Sequence, residues 1–280
     1  MTLLVVGAGD LGLRVAAAGV AAGRVVLAIK RTPVALPAGV QGLWGDVAAL
    51  DPGLLPAVDA VLYCLTPDRR DPESYRQCYV ERLRGLLALF DQCGHAPRLL
   101  FASSTAVYPV EDGRTVDEHY PIDVERERLP FNGQLLREAE WLLHGREACA
   151  LRIGGIYGPG RDMLLRRLRT PGATVQREPP LWTNRMHIAD VARAVGFLLD
   201  LPSLPVAVNL VDDASVPQAE VLDGLAAMLG LPQLPGSAPT AGLTQGKRVS
   251  NALLRGLGFR CRYPGWREGY TAMLEATAAP

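Results

Sequence analysis

Apolar positions follow two alternating rhythms along the chain. Leu3 to Val6 is a continuous apolar run, too short for a helix and ending in glycines, and it predicts a buried strand. Leu11, Val15, Ala18 and Ala22 then recur at helical spacing. Val25 to Ile29 predicts a second buried strand and Leu43-Trp44 a weak third. Val58 to Leu65 contains a fourth, ending at Thr66-Pro67. Tyr75, Tyr79, Leu83, Leu86 and Phe90 mark a long amphipathic helix. Arg98 to Ala102 and Cys149 to Ile153 predict strands five and six. Leu135, Ala139 and Leu142 mark a helix between them. Strands joined by helices imply right-handed crossovers and a parallel sheet covered on both faces, an α/β doubly wound fold.

After Gly160 the pattern loosens. Asp190 to Leu199 predicts a helix and Ala207 to Val211 a strand. Ser215 and Gln218, with Pro217 between them, form the start signal of a helix with a capping box, and Gly230 suits its end. Residues 231–246 are rich in Pro, Gly and Ser and predict a long loop. The expected division is a nucleotide-binding domain over 1–156, with 187–211 returning to it. A smaller C-terminal substrate lobe takes 157–186 and 212–280.

The sequence Gly7-Ala8-Gly9-Asp10-Leu11-Gly12 follows a predicted strand and opens a predicted helix. That is the setting of a dinucleotide-binding Rossmann turn. Gly7 permits the tight turn, Gly9 lets the backbone approach a pyrophosphate, and Gly12 lets helix and strand pack closely. The helix N-terminus offers N–H groups and a positive dipole end to phosphates. Asp10 is expected to cap that helix. An acidic residue ending the second strand would favour NAD, but this chain reads Ile29-Lys30-Arg31-Thr32. Two cations suit a 2′-phosphate, with Arg31 the better bidentate donor, so the expected cofactor is NADP, with NAD possible. Asp46, after the third strand, falls where an adenine contact is expected. Leu65 and Thr66, at the end of the fourth strand, complete the expected cofactor residues.

Composition narrows the partners. The 280 residues carry 29 basic and 29 acidic side chains, so no global field favours nucleic acid or an anionic membrane. No apolar run is long enough to span a bilayer and no basic leader precedes the first strand, which predicts a cytoplasmic protein. The five cysteines are scattered without a CxxC pair, and the four histidines lack metal-ligand spacing. Arg161, Arg166, Arg167 and Arg169 cluster beside the expected substrate lobe. They are either a charged helix face or a grip for an anionic small-molecule substrate. A monomer or a homodimer is expected.

Five stretches together resemble the extended and atypical short-chain dehydrogenase/reductase superfamily, the NAD-dependent epimerase/dehydratase group. They are Phe101-Ala102-Ser103-Ser104-Thr105-Ala106-Val107-Tyr108, Leu151 to Arg161, Asn184-Arg185-Met186-His187-Ile188-Ala189-Asp190, Asn209 to Asp213, and Arg248-Val249-Ser250-Asn251 with Leu257-Gly258-Phe259. The resemblance implies a Ser or Thr after strand five that polarises a substrate oxygen, which falls on Ser104. It also implies a Tyr acid/base, and one turn on a Lys that lowers its pKa and holds the nicotinamide ribose. Those positions fall on Asn132 and Leu136. No lysine lies between Lys30 and Lys247. Asn132 cannot exchange a proton near neutral pH. A positioned acid/base contributes about 10²- to 10⁴-fold, so ordinary hydride transfer would need a substitute, for which Tyr108, Tyr120 and Tyr157 are candidates. The dehydratase branch has Asp-Glu where this chain has Thr105-Ala106, which disfavours a sugar-nucleotide dehydratase. Two readings stay open. One is an oxidoreductase or epimerase acting on a small or nucleotide-linked substrate. The other is a dinucleotide-sensing protein without turnover.

Overall fold

The computed structural model describes all residues except Pro52, Leu54, 239–241, 279 and 280, and of Thr277 and Ala278 it describes only the main chain. The chain forms two compact units. The first comprises 1–107, 122–152 and 192–208; the second comprises 108–121, 153–191 and 209–280.

The first unit alternates strands and helices. They are β1 (Thr2–Val6), α1 (Asp10–Ala21), β2 (Val25–Lys30), β3 (Val40–Trp44), β4 (Ala60–Tyr63), α2 (Pro72–Tyr75), α3 (Arg82–Gln92), β5 (Arg98–Ser104), α4 (Phe131–Trp141) and β7 (Ala148–Ile153). Its sheet is ordered β11-β7-β5-β4-β1-β2-β3, where β11 is Ala207–Leu210. The neighbours β1–β2, β1–β4, β2–β3 and β4–β5 run parallel, with Leu4 opposite both Leu27 and Val61. Leu3 to Val6 are fully buried, as a strand covered on both faces requires. The expected α/β doubly wound sheet is therefore present. Its order reverses between β1 and β4, the place where such sheets open a crevice at the carboxyl ends of the strands.

Several boundaries differ from expectation. The fourth strand stops at Tyr63, leaving Leu65 and Thr66 in the loop beyond it. β5 runs two residues longer than its apolar run, to Ser104. The long amphipathic helix is α2 and α3 joined by a π-helical segment, Arg76–Glu81.

The second unit contains β6 (Asp112–Val116), β8 (Gly155–Tyr157), α5 (Met163–Leu168), β9 (Trp182–Thr183), β10 (Arg185–His187), β12 (Val216–Pro217), α7 (Gln218–Met228), β13 (Gly246–Val249), α8 (Ala252–Gly256) and α9 (Trp266–Ala278). α6 (Ile188–Leu199) starts in this unit and ends in the first. A four-stranded sheet is ordered β12-β9-β13-β6, and β10 pairs with β8. Tyr157, Leu165, Val221, Leu225, Trp266 and Tyr270 lie in its core. The capping box at Ser215 is not formed. Val216 and Pro217 pair with Thr183 and Trp182, so the helix starts only at Gln218. The Ser215 hydroxyl donates to Asn184 Oδ1 at 2.6 Å instead. Gly230 follows α7 with φ +63°, the left-handed conformation of a helix terminator. Among the described residues no helix is long and apolar enough to cross a membrane.

Candidate functional site

The three glycines of the N-terminal turn have three separate reasons to be glycine. Gly7 has φ +114°, and a Cβ there would lie 2.8 Å from the Cys64 carbonyl oxygen at the end of β4. Gly12 lies in the first turn of α1, where a Cβ would fall 2.1 Å from the Gly7 carbonyl oxygen. Around Gly9 a Cβ would meet nothing within 4 Å, so space rather than packing marks that position. The N–H groups of Gly7 and Ala8 donate to Ile29 O at 3.1 and 3.2 Å, which ties the turn to the end of β2. Gly9, not Asp10, occupies the N-cap of α1, and no side chain caps it. Asp10 is the first helical residue and pairs with Arg14 one turn on, at 2.8 Å.

A cavity of about 490 Å³ opens beside this turn. Of the expected cofactor residues, Gly7, Gly9, Lys30, Arg31, Asp46, Leu65 and Thr66 line it. Asp10, Leu11 and Gly12 do not. Leu11 is 8% exposed and packs inward from α1.

Two charged lining residues have no signal in the sequence: Asp68 and Arg82. Asp46, where an adenine contact is expected, lines the cavity with its carboxylate already engaged. It accepts from Arg82 Nε at 2.9 and 3.0 Å and from Arg82 Nη2 at 2.8 Å, and it caps Ala48 N at 3.1 Å. The Arg82 guanidinium holds its carboxyl below the usual carboxylate range. Arg31 forms a fork with Asp68, donating Nη1 to Oδ2 at 2.8 Å and Nη2 to Oδ1. Arg31 thereby lowers the Asp68 pKa, and Asp68 raises that of Arg31. Burial pushes the lining thiols Cys64 and Cys78 up to about 12, so both stay protonated and neither is a nucleophile near neutral pH.

At the end of β5 the two serines divide their work. Ser103 is buried and donates to Glu140 Oε1 at 2.7 Å. The next side chain, Ser104, is half-buried, and its Oγ accepts from Ala106 N at 3.2 Å. Asn132 and Leu136 lie one turn apart on α4, the first half-buried and the second 3% exposed. A Cβ on Gly133 would sit 2.5 Å from Ala106 O, so α4 runs directly against the turn that follows Ser104.

In the second unit several of the other candidate residues are already engaged. Tyr108 is 1% exposed and its hydroxyl donates to Asn209 Oδ1 at 2.8 Å. Tyr157 stacks on Tyr270 at 4.7 Å and donates to Gly265 O at 3.2 Å, and burial raises its pKa. Tyr120 meets Tyr108 edge-on at 6.2 Å. His187 Nδ1 accepts from Ala189 N at 3.2 Å at the start of α6. Glu118 accepts from Asn209 N at 2.7 Å. In the arginine cluster, Arg166 pairs with Asp162 at 2.8 Å and Arg167 donates to Gln218 Oε1 and Thr174 O. Lys247, the second of the chain's two lysines, donates to the Tyr108 carbonyl, and burial draws its amine down to about 8. Among the described residues no group of three His, Cys, Asp or Glu is placed to hold a metal ion.

No protein-family model matches the sequence, and no curated protein matches it. Solved structures do. One, from Methylobacillus flagellatus and assigned as an NAD-dependent epimerase/dehydratase, is 31% identical over 99% of both chains, with a TM-score of 0.82. MoeE5, solved with UDP-glucose and NAD, is 25% identical over 99% of this chain and 98% of its own, with a TM-score of 0.78. The human epimerase family protein SDR39U1, solved with NADPH, shares the fold at 20% identity over 98% and 99%, with a TM-score of 0.78.

Proposed function

Because the chain belongs to the NAD-dependent epimerase/dehydratase family, we propose that its first unit binds a nicotinamide dinucleotide, with the pyrophosphate over the Gly7–Gly12 turn and the adenosine half in the 490 Å³ cavity. The observation that carries this is the open face of Gly9 at the N-terminus of α1, beside a cavity fringed with Lys30, Arg31 and Arg82. The helix end and the cations together suit three phosphate-type charges. Arg31 and Lys30 favour NADP(H), the cofactor class seen in the human fold relative. When bound, the dinucleotide supplies or takes a hydride.

The chain's own residues govern substrate binding and proton transfer. The Ser104 hydroxyl, at the carboxyl end of β5, is the group proposed to hydrogen-bond a substrate oxygen. Asn132 and Leu136 stand where the family resemblance implies a Tyr and a Lys, so neither of these positions supplies a proton donor. The proposed activity is that of an oxidoreductase or epimerase on a small or nucleotide-linked substrate, the class bound by MoeE5. Loss of the Tyr and Lys favours a second reading, in which the dinucleotide is sensed and not turned over. Separate calorimetric titrations with NADPH and NADH test the site. Arg31→Ala should weaken NADPH binding far more than NADH binding, and equal losses would show that Arg31 does not read a 2′-phosphate. Turnover on a panel of carbonyl and nucleotide-sugar substrates separates the two readings.

A further inference from the structure

The charges around the cavity are arranged in two pairs and one single cation. Arg82 is taken by Asp46 through three hydrogen bonds, and Asp46 also caps Ala48 N. Arg31 is taken by Asp68 through both of its terminal nitrogens. Lys30 is the remaining cation among the lining residues. The two pairs differ in accessibility. The Arg82 and Asp46 side chains are 19% and 32% exposed, against 53% and 58% for Arg31 and Asp68.

Asp68 comes from the loop after β4, not from the end of β2, where an acidic residue would read the ribose. It nevertheless faces the same guanidinium that a 2′-phosphate would need. Asp68 occupies the Nη1–Nη2 edge of the Arg31 guanidinium, the edge that would otherwise face an incoming anion end-on, and leaves Nε and one N–H on each terminal nitrogen. A 2′-phosphate must therefore either displace Asp68 from that edge or use the remaining N–H groups, and in both cases it sits beside the negative charge of Asp68. A ribose 2′-hydroxyl carries no charge, leaves the fork intact and can donate to Asp68. The pair is solvent-exposed, so it can be displaced, but it still opposes the displacement.

We propose that Asp68 is a specificity residue of this cavity, competing with the 2′-phosphate for Arg31 and holding down the preference for NADP(H) over NAD(H). The inference rests on the cavity being the adenosine site. It makes the cofactor preference of this chain a balance between Arg31 and Asp68, where a β2 residue alone would otherwise fix it.

Asp68→Asn removes the charge and keeps the shape, on a side chain exposed enough that folding is not at stake. Calorimetric titration of the whole protein with NADPH and with NADH gives the readout. The substitution should tighten NADPH about five- to tenfold at low salt, with NADH changed by about twofold or less, and the gain should shrink as salt is raised. In an Arg31→Ala background most of the NADPH gain should vanish, because the fork it frees is gone. An unchanged NADPH-to-NADH ratio in Asp68→Asn overturns the proposal while leaving the cavity assignment intact. So does an undiminished gain in the Arg31→Ala background. A wild-type protein that binds neither dinucleotide overturns the cavity assignment and this proposal together.

Discussion

Adding one methyl group at Gly12 and, separately, at Gly9 should split folding from ligand binding. At Gly12 the new Cβ would lie 2.1 Å from Gly7 O and 3.0 Å from Val5 Cγ1. Gly7 O cannot retreat freely, since it accepts from Gly9 N at 2.8 Å and sits where the chain turns against β4. Overpacking of this kind costs about 1–3 kcal/mol, and a collision with a main-chain atom belongs at or above the upper end. Helix propensity returns about 1 kcal/mol on replacing Gly by Ala. The net loss is about 2 kcal/mol or more, which lowers Tm by about 4–8 °C for a chain of this size. At Gly9 no atom lies within 4 Å, and φ −92°, ψ −167° is backbone that any residue adopts. Ala is a poorer N-cap than Gly, so the cost there is about 1 kcal/mol or less. The methyl group would, however, project where the pyrophosphate must come close, and NADPH affinity should fall at least about tenfold. Thermal melts without ligand and calorimetric titration of both variants give the comparison. A Gly12→Ala protein that melts with wild type, or a Gly9→Ala protein that binds NADPH as tightly as wild type, would refute the reasoning.

Two further predictions concern the second unit and α4. Burial raises the Asp212 carboxyl to about 7 although Arg185 pulls it down, with Asp213 and Glu268 adding to the rise. Its folded pKa thus lies above the unfolded value of about 3.9, so its stabilising effect is full below about pH 4 and is lost as pH rises to about 7, by no more than about 4 kcal/mol. Urea melts across that range should show a steeper loss for wild type than for Asp212→Asn, and parallel profiles would contradict the assignment. On α4, Asn132→Tyr with Leu136→Lys should create or raise NADPH-dependent carbonyl reduction, while Asn132→Tyr alone does little because its pKa stays near about 10. Leu136 is 3% exposed, so a melt must accompany the assay, and family-typical reduction by the natural protein would defeat the argument.

How much of this was visible in the sequence depends on the range of the interaction. The Gly7–Gly12 turn was legible because a run of apolar residues, a glycine period and a helical period lie side by side within about twenty positions. Lys30 and Arg31 were legible for the same reason, being tied to the end of a recognisable strand. Arg82 is 36 positions from the Asp46 it clamps, and Asp68 is 37 from Arg31. Nothing local announces either pair, and only the sheet order brings them to one cavity. The errors at helix starts are of a different kind. Asp10 and Ser215 both have the chemistry of a cap, but Gly9 already holds the N-cap of α1. Pairing of Val216 and Pro217 with β9 postpones the start of α7.

The helix α4 is held in place by contacts that are independent of the two positions proposed for the acid/base pair. Glu140 is 5% exposed, and a buried carboxylate is costly unless it is well paired. It accepts from Ser103 Oγ, from Arg137 Nη1 at 2.9 Å, and from Arg152 Nε and Nη2 at 3.2 and 2.9 Å. Those partners come from β5, α4 itself and β7, so one carboxylate fixes the helix against two strands. Gly133 fixes the other end by its close approach to Ala106. Neither anchor involves Asn132 or Leu136. Successive residues of a strand point to opposite faces, so holding Ser103 to Glu140 also fixes the direction of Ser104. The backbone at positions 132 and 136, proposed for the Tyr and the Lys, is therefore maintained by other residues through packing and charge pairing. On the proposed assignment that backbone stays in place whatever side chains positions 132 and 136 carry, which is why introducing Tyr and Lys together is a direct test of that assignment.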